Sequence, residues 1–190
     1  MKKYIKALPI IFYPYIYMIY FLGYFLVASN SSGQNKTSEI FLIVLLVLAV
    51  VCNLYSFITS FSFIHSAKKG KYSAKQLTKL NMIIKTVQIP AYIIHFCLGL
   101  LGLIMSVWGI PIILWAIFID FITIVLSGVV GISANIGAKK ENILSSGQAV
   151  LFSILGFVYC VDVFISILLY IRVKRKIIKN QLNPDLQIEK

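Results

Sequence analysis

The chain has 190 residues, 59% apolar and 13% charged, with a mean hydropathy of +0.90; a soluble domain carries about 45–50% apolar and about 25% charged residues, so neither a soluble globular body nor a disordered chain fits. No alternation of apolar and polar residues in segments of about ten marks a transmembrane barrel, which leaves an all-α fold, a polytopic transmembrane helix bundle. The formal net charge of +12 lies in blocks between apolar runs, as in cytoplasmic loops under the positive-inside rule, and no stretch is long enough to build the basic face that nucleic acid requires.

Five apolar segments are long enough to be embedded in ~30 Å of hydrocarbon: about 7–28, 40–64, 82–108, 110–134 and 149–171, followed by a basic tail over 172–190, all in a single integral membrane domain. The first is too long and too rich in tyrosine for a cleaved signal, whose apolar core is about 7–15 residues, so it reads as a retained span. The connection Ser29–Ser38 carries one lysine and suits the outside; its sequons at Asn30 and Asn35 matter only in a eukaryotic secretory pathway. Lys68, Lys69, Lys71, Lys75 and Lys79 place the next connection in the cytoplasm. Gly70-Lys71 within it is no Walker loop, because Tyr72 stands where Ser or Thr is needed. Ser106–Pro111 is a tight uncharged turn with Trp108 suited to an interface, and Asn135–Gly147 carries a weak charge signal from Lys139, Lys140 and Glu141.

These assignments conflict in parity. Lys2, Lys3 and Lys6 place the N-terminus in the cytoplasm, and the tail, from Arg172 through Lys179, asks for the same side. Five full crossings cannot satisfy both. Either the tail lies outside against the charge rule, or one segment between Met82 and Ala134 is re-entrant; Pro90, Gly99, Gly102, Gly109 and Pro111 make that region the one expected to bend. Segment length favours five membrane-embedded helices with a cytoplasmic N-terminus and leaves the side of the C-terminus open.

Each segment carries polar residues at helical spacing. Tyr13, Tyr17, Tyr20 and Tyr24 share a face of the first; Asn53, Ser56 and Ser60 of the second; Gln88, Tyr92 and His95 of the third; Asp120, Thr123, Ser127 and Gly131 of the fourth; Tyr159, Asp162, Ser166 and Tyr170 of the fifth. Polar groups in hydrocarbon turn inward, so a polar seam is expected in which hydroxyls and amides bridge helices. Asp120 and Asp162 are its sharpest features. A charged Asp at mid-span costs about 2.5–3.5 kcal/mol on the insertion scale, and Lys85 reads as close to a membrane edge. The aspartates are therefore expected to be protonated, to face water, to bind a cation, or to pair with His95. The expected intramembrane proton or cation site is Asp120, Asp162, His95 and Asn53, supported by Tyr13, Tyr17, Tyr20, Gln88 and Tyr159. The plainer alternative is that the same groups are structural hydrogen-bonding glue.

Two function classes fit these residues. One is transport or sensing of a small solute, proton or cation through the bundle interior, with Ser127, Gly128 and Gly131 available for close contact in a homodimer or membrane complex. The other is a non-catalytic accessory, immunity-type or lipid-interacting protein whose basic loop and tail meet anionic lipid headgroups. A third class, an intramembrane enzyme with the two aspartates as an acid/base dyad, is the least favoured: no GxGD surrounds either aspartate, and no HExxH or EExxxR occurs. Cys52, Cys97 and Cys160 lie singly inside apolar runs, so neither a disulfide framework nor a zinc site is expected, and no cofactor. A composition rich in Ile, Lys and Asn with few Ala and Arg points to an AT-rich bacterium and its cytoplasmic membrane.

Overall fold

A computed structural model describes residues 2–29 and 36–182, all-α among those residues. The two sequons and the end of the tail lie outside them. Six α-helices and one short 3₁₀ turn follow in order: α1 (Lys2–Ser29), α2 (Lys36–Lys68), α3 (Ala74–Ile104), the turn Ser106–Gly109, α4 (Ile110–Lys140), α5 (Ser146–Leu155) and α6 (Val161–Leu182). The helix-bundle class expected from composition is therefore the observed one. Four helices, α1 to α4 with the turn preceding α4, are long and apolar enough to cross a membrane. α2 presents Ile43, Val47, Leu54 and Ile58 with more than half their surface exposed, which in water would be a large apolar patch and in lipid is the ordinary state of a span.

Local chemistry explains where the helices stop. α2 ends in a Schellman motif: Gly70 adopts φ +70°, its amide donates to Ala67 O and that of Lys71 to Ser66 O, each at 3.0 Å. The Gly70-Lys71 pair is thus a helix cap. Asn142, at φ 53°, ends α4 the same way, with the Ile143 amide on Ala138 O at 2.9 Å. Ser145 and Gln148 form a reciprocal capping box that starts α5. Between α3 and α4, Gly102 and Gly109 touch backbone to backbone: a Cβ on Gly109 would lie 1.8 Å from Gly102 O.

The fifth apolar segment differs from expectation. It is not one helix over 149–171 but two, α5 and α6, separated by a break over 156–160 in which Cys160 takes φ 63°. α6 then runs back to the level at which α5 began: the Arg172 guanidinium donates to Gln148 Oε1 at 3.0 Å, and Lys176 donates to Asn142 O. α5 and α6 are a helical hairpin. Between Met82 and Ala134 the chain turns at Ser106–Gly109, and Pro90 lies inside an uninterrupted α3.

The chain divides into two compact units: the first comprises Met1–Thr59 with Val87–Leu126, the second Ser60–Thr86 with Ser127–Lys190. Each of α2, α3 and α4 contributes a part to both.

Candidate functional site

In the second unit the hairpin closes around a lysine. Lys85, on α3, is 1% exposed, buried against a charged partner that hydropathy along the chain cannot see. Its Nζ lies 2.6 Å from Asp162 Oδ2, 3.1 Å from Ser127 Oγ on α4 and 3.2 Å from Gly156 O at the end of α5. Asp162 is itself fully buried, and its other oxygen accepts the Val163 amide at 2.8 Å.

The break creates this arrangement. In an unbroken helix the Gly156 carbonyl would accept from the Cys160 amide; here it is released to the ammonium. The C-terminal end of α5, where carbonyl dipoles carry partial negative charge, faces the lysine, and the N-terminal turn of α6 holds the aspartate against partial positive charge. Both helix ends thus favour the charge placed on them. Gly128 on α4 leaves room for Phe157 of the break, whose ring a Cβ there would meet at 2.6 Å. Gly131 lies beside Asn81, and Ser127, Gly128 and Gly131 are buried within the chain, so this small-residue face is occupied by the protein's own α3 and hairpin.

A cavity of about 10 Å³ adjoins the pair, lined by Asn81, Asn135, Ser153 and Ser166 as well as Lys85 and Asp162. The Asn135 amide donates to Ser153 Oγ at 2.9 Å, while Asn81 Oδ1 and Asn135 Oδ1 are buried without a hydrogen-bond partner among the described residues.

In the first unit His95 Nδ1 lies 2.5 Å from Asp120 Oδ1, the pairing expected for one of the two aspartates. The His95 side chain is fully buried and that of Asp120 12% exposed. The Trp115 ring stands edge-on to the imidazole at 5.3 Å and stacks on Phe21 at 4.5 Å. His95 Nε2 is buried without a hydrogen-bond partner among the described residues.

The remaining expected residues divide by chemistry. The amides bridge helices: Asn53 donates to the Tyr17 hydroxyl at 3.3 Å, and Gln88 donates to Ile10 O at 2.9 Å. That carbonyl is the one Pro14, lacking an N–H, leaves without its helical donor. Tyr13 is fully buried, its ring 5.0 Å from that of Tyr17, and Tyr20 is half-buried. The hydroxyls mostly do not bridge: Ser56, Thr123 and Ser166 donate to Cys52, Ile119 and Val163 carbonyls of their own helices, because a short side chain on a helix reaches its own preceding turn first. Tyr159 belongs to the break and is 39% exposed, so the helical spacing that placed it on a stripe with Asp162 does not apply across 156–160.

Lys85, Gly156 and Asn81 were missed. Lys85 sits one turn N-terminal to the Gln88–Tyr92–His95 stripe's first member, and Asn81 one turn before that, so extending the stripe backward along α3 was the available signal. Nothing in local sequence marked the Gly156 carbonyl as an acceptor in the site.

The model described as "Family of unknown function (DUF6652)" matches residues 3–175, so the chain belongs to that family. No curated protein and no solved structure matches it significantly.

Proposed function

We propose that this DUF6652 member is a multi-pass protein of the bacterial cell membrane that moves or senses a small solute, a proton or a cation through its polar interior. One observation carries the reading: Lys85 and Asp162, both essentially without solvent contact, meet at the break between α5 and α6, beside a small polar cavity. Ionisable residues inside a membrane are costly and mark pathways and relays, and discontinuous helices with their ends turned on a charged site are how transporters build theirs.

The hairpin also supports a topology. α5 is 10 residues long, about 15 Å, half of ~30 Å of hydrocarbon, and α6 returns to its level. Four crossings with a re-entrant α5–α6 hairpin put both basic ends on one side, leaving Lys36 alone outside among the basic residues. The parity conflict disappears with a cytoplasmic N-terminus. Irregular backbone at such depth is tolerated where protein covers it, as α3 and α4 do here.

The test is reconstitution of the purified chain into liposomes loaded with a pH-sensitive dye. A proton flux, lost in Asp162→Asn or in Asp120→Asn, is expected; absence of flux under every imposed gradient overturns the transport reading. A second reading, lipid interaction, is favoured by Arg172, Arg175, Lys176 and Lys179, which share one face of α6 and border a groove walled by Phe152, Leu168 and Ile171. Such a groove suits an anionic headgroup above its acyl chain, at about 1 kcal/mol per basic residue. Activity that survives both aspartate substitutions but falls with Arg175→Gln would favour it.

A further inference from the structure

We infer that the groove along α6 is a seat for one molecule of diphosphatidylglycerol, a lipid whose headgroup carries two phosphates joined by a glycerol. The inference rests on the lipid-interaction reading above and names the lipid.

The charge in the groove is placed but not compensated. Arg172, Arg175, Lys176 and Lys179 line it, and among the described residues none of them has a carboxylate within ion-pair distance; the ion pairs found there are Lys85–Asp162 and His95–Asp120. Glu141, just beyond α4, accepts the Ala74 amide instead, at 2.6 Å. Two of the four cations are held by uncharged oxygens: Arg172 donates to Gln148 Oε1 and Lys176 to Asn142 O. Both keep further N–H donors for an anion. They are already positioned for one, which lowers the ordering cost of binding it.

The spacing of the four selects the ligand. On a helix, residues three or four apart are neighbours, with about 5–6 Å between Cβ atoms. Arg172 with Lys176 and Arg175 with Lys179 are therefore two Arg–Lys clamps side by side. A guanidinium grips a phosphate through two parallel N–H groups, and an ammonium adds a point charge. Each clamp suits one phosphate, and a glycerol bridge sets two phosphates at a comparable spacing. A lipid with one phosphate would fill one clamp and leave the like charges of the other unrelieved. Toward the break the wall turns apolar, at Phe152, Leu168 and Ile171. From Leu168 to Lys179 the groove runs about 16 Å along α6, apolar at one end and cationic at the other, as acyl chains give way to headgroups. Its volume of about 710 Å³ and its apolar wall exceed what a free phosphate needs, and basic pockets between membrane helices take headgroups of this kind.

The test uses the full chain in a neutral detergent, titrated with diphosphatidylglycerol, with phosphatidylglycerol at equal phosphate, with phosphatidylcholine and with inorganic phosphate. Thermal midpoint and native mass spectrometry of the retained lipid are the readouts. One diphosphatidylglycerol per chain is expected, with half-saturation at least ten-fold below that of phosphatidylglycerol. Arg172→Gln with Lys176→Gln, or Arg175→Gln with Lys179→Gln, should each erase that preference, because each empties one clamp. Lys174→Gln, which removes a charge of α6 outside the groove, should leave it intact. Equal half-saturation for the two anionic lipids would overturn the inference and preserve the lipid-interaction reading. Phosphatidylcholine acting as strongly as either would overturn both. A response to inorganic phosphate as strong as that to diphosphatidylglycerol would make the groove a soluble-anion site and overturn the inference as well. Preference lost equally in Lys174→Gln and in the clamp variants would reduce it to net charge and defeat it. Should the clamp variants fail to fold, the comparison of lipids on the unaltered chain decides.

Discussion

Lys85 and Asp162, 77 positions apart, form a buried ion pair at 2.6 Å, and it closes the break between α5 and α6. Removing either partner leaves an uncompensated buried charge, at a cost of about 3–5 kcal/mol. Replacing both with apolar groups removes the two charges together. Lys85→Met and Asp162→Leu should each lower the thermal midpoint in detergent strongly, and the double variant should recover most of the loss. Additive effects would contradict the pairing.

Gln88 and Pro14 make a second coupled pair. Gln88 serves the Ile10 carbonyl that Pro14 strands. Gln88→Leu should cost about 1–3 kcal/mol. In a Pro14→Ala background the residue-14 amide returns to Ile10 O, so the same substitution should cost measurably less. A double-mutant cycle on unfolding reads the difference.

The hairpin topology predicts labelling. In a chain freed of Cys52, Cys97 and Cys160, single cysteines at Ser73, Ser145 and Lys179 should react with an impermeant thiol reagent from one face of the membrane, and a cysteine at Val107 from the other. Opposite labelling of Ser145 and Lys179 would mean that the fifth segment crosses.

Two glycines of like sequence context should behave differently. Gly128→Val drives a side chain into Phe157, displaces the break and should abolish activity along with the Lys85 contacts to the hairpin. Gly147→Ala meets nothing within 4 Å and should be neutral or slightly stabilising, since Gly in a helix costs about 0.5–1 kcal/mol relative to Ala. Expression and thermal midpoint of the two variants provide the check.

In the first unit, Trp115 reports on its neighbour. With Trp108 changed to Phe, Trp115 emission should shift in His95→Leu, which removes the imidazole standing edge-on to the indole; an unchanged spectrum would contradict the contact.

What can be read from these residues alone is what depends on near neighbours in the chain. Apolar runs specify embedded helices because every backbone polar group in lipid must be satisfied within its own segment. Gly70 and Ser145 specify caps through contacts five residues away or fewer. The inward turn of Asp120, Asp162, His95 and Gln88 follows from helical period and the cost of polarity in hydrocarbon. Which polar group meets which is a different kind of fact. Asp162 could not be assigned to Lys85, nor Asp120 to His95, because such pairs are set by how helices from distant parts of the chain meet. The break at 156–160 is of the same kind. Its residues are apolar and contain no proline; what holds them open is a lysine on α3, a vacant Cβ position on α4 and the charge preferences of two helix ends, and these converge only in the folded chain.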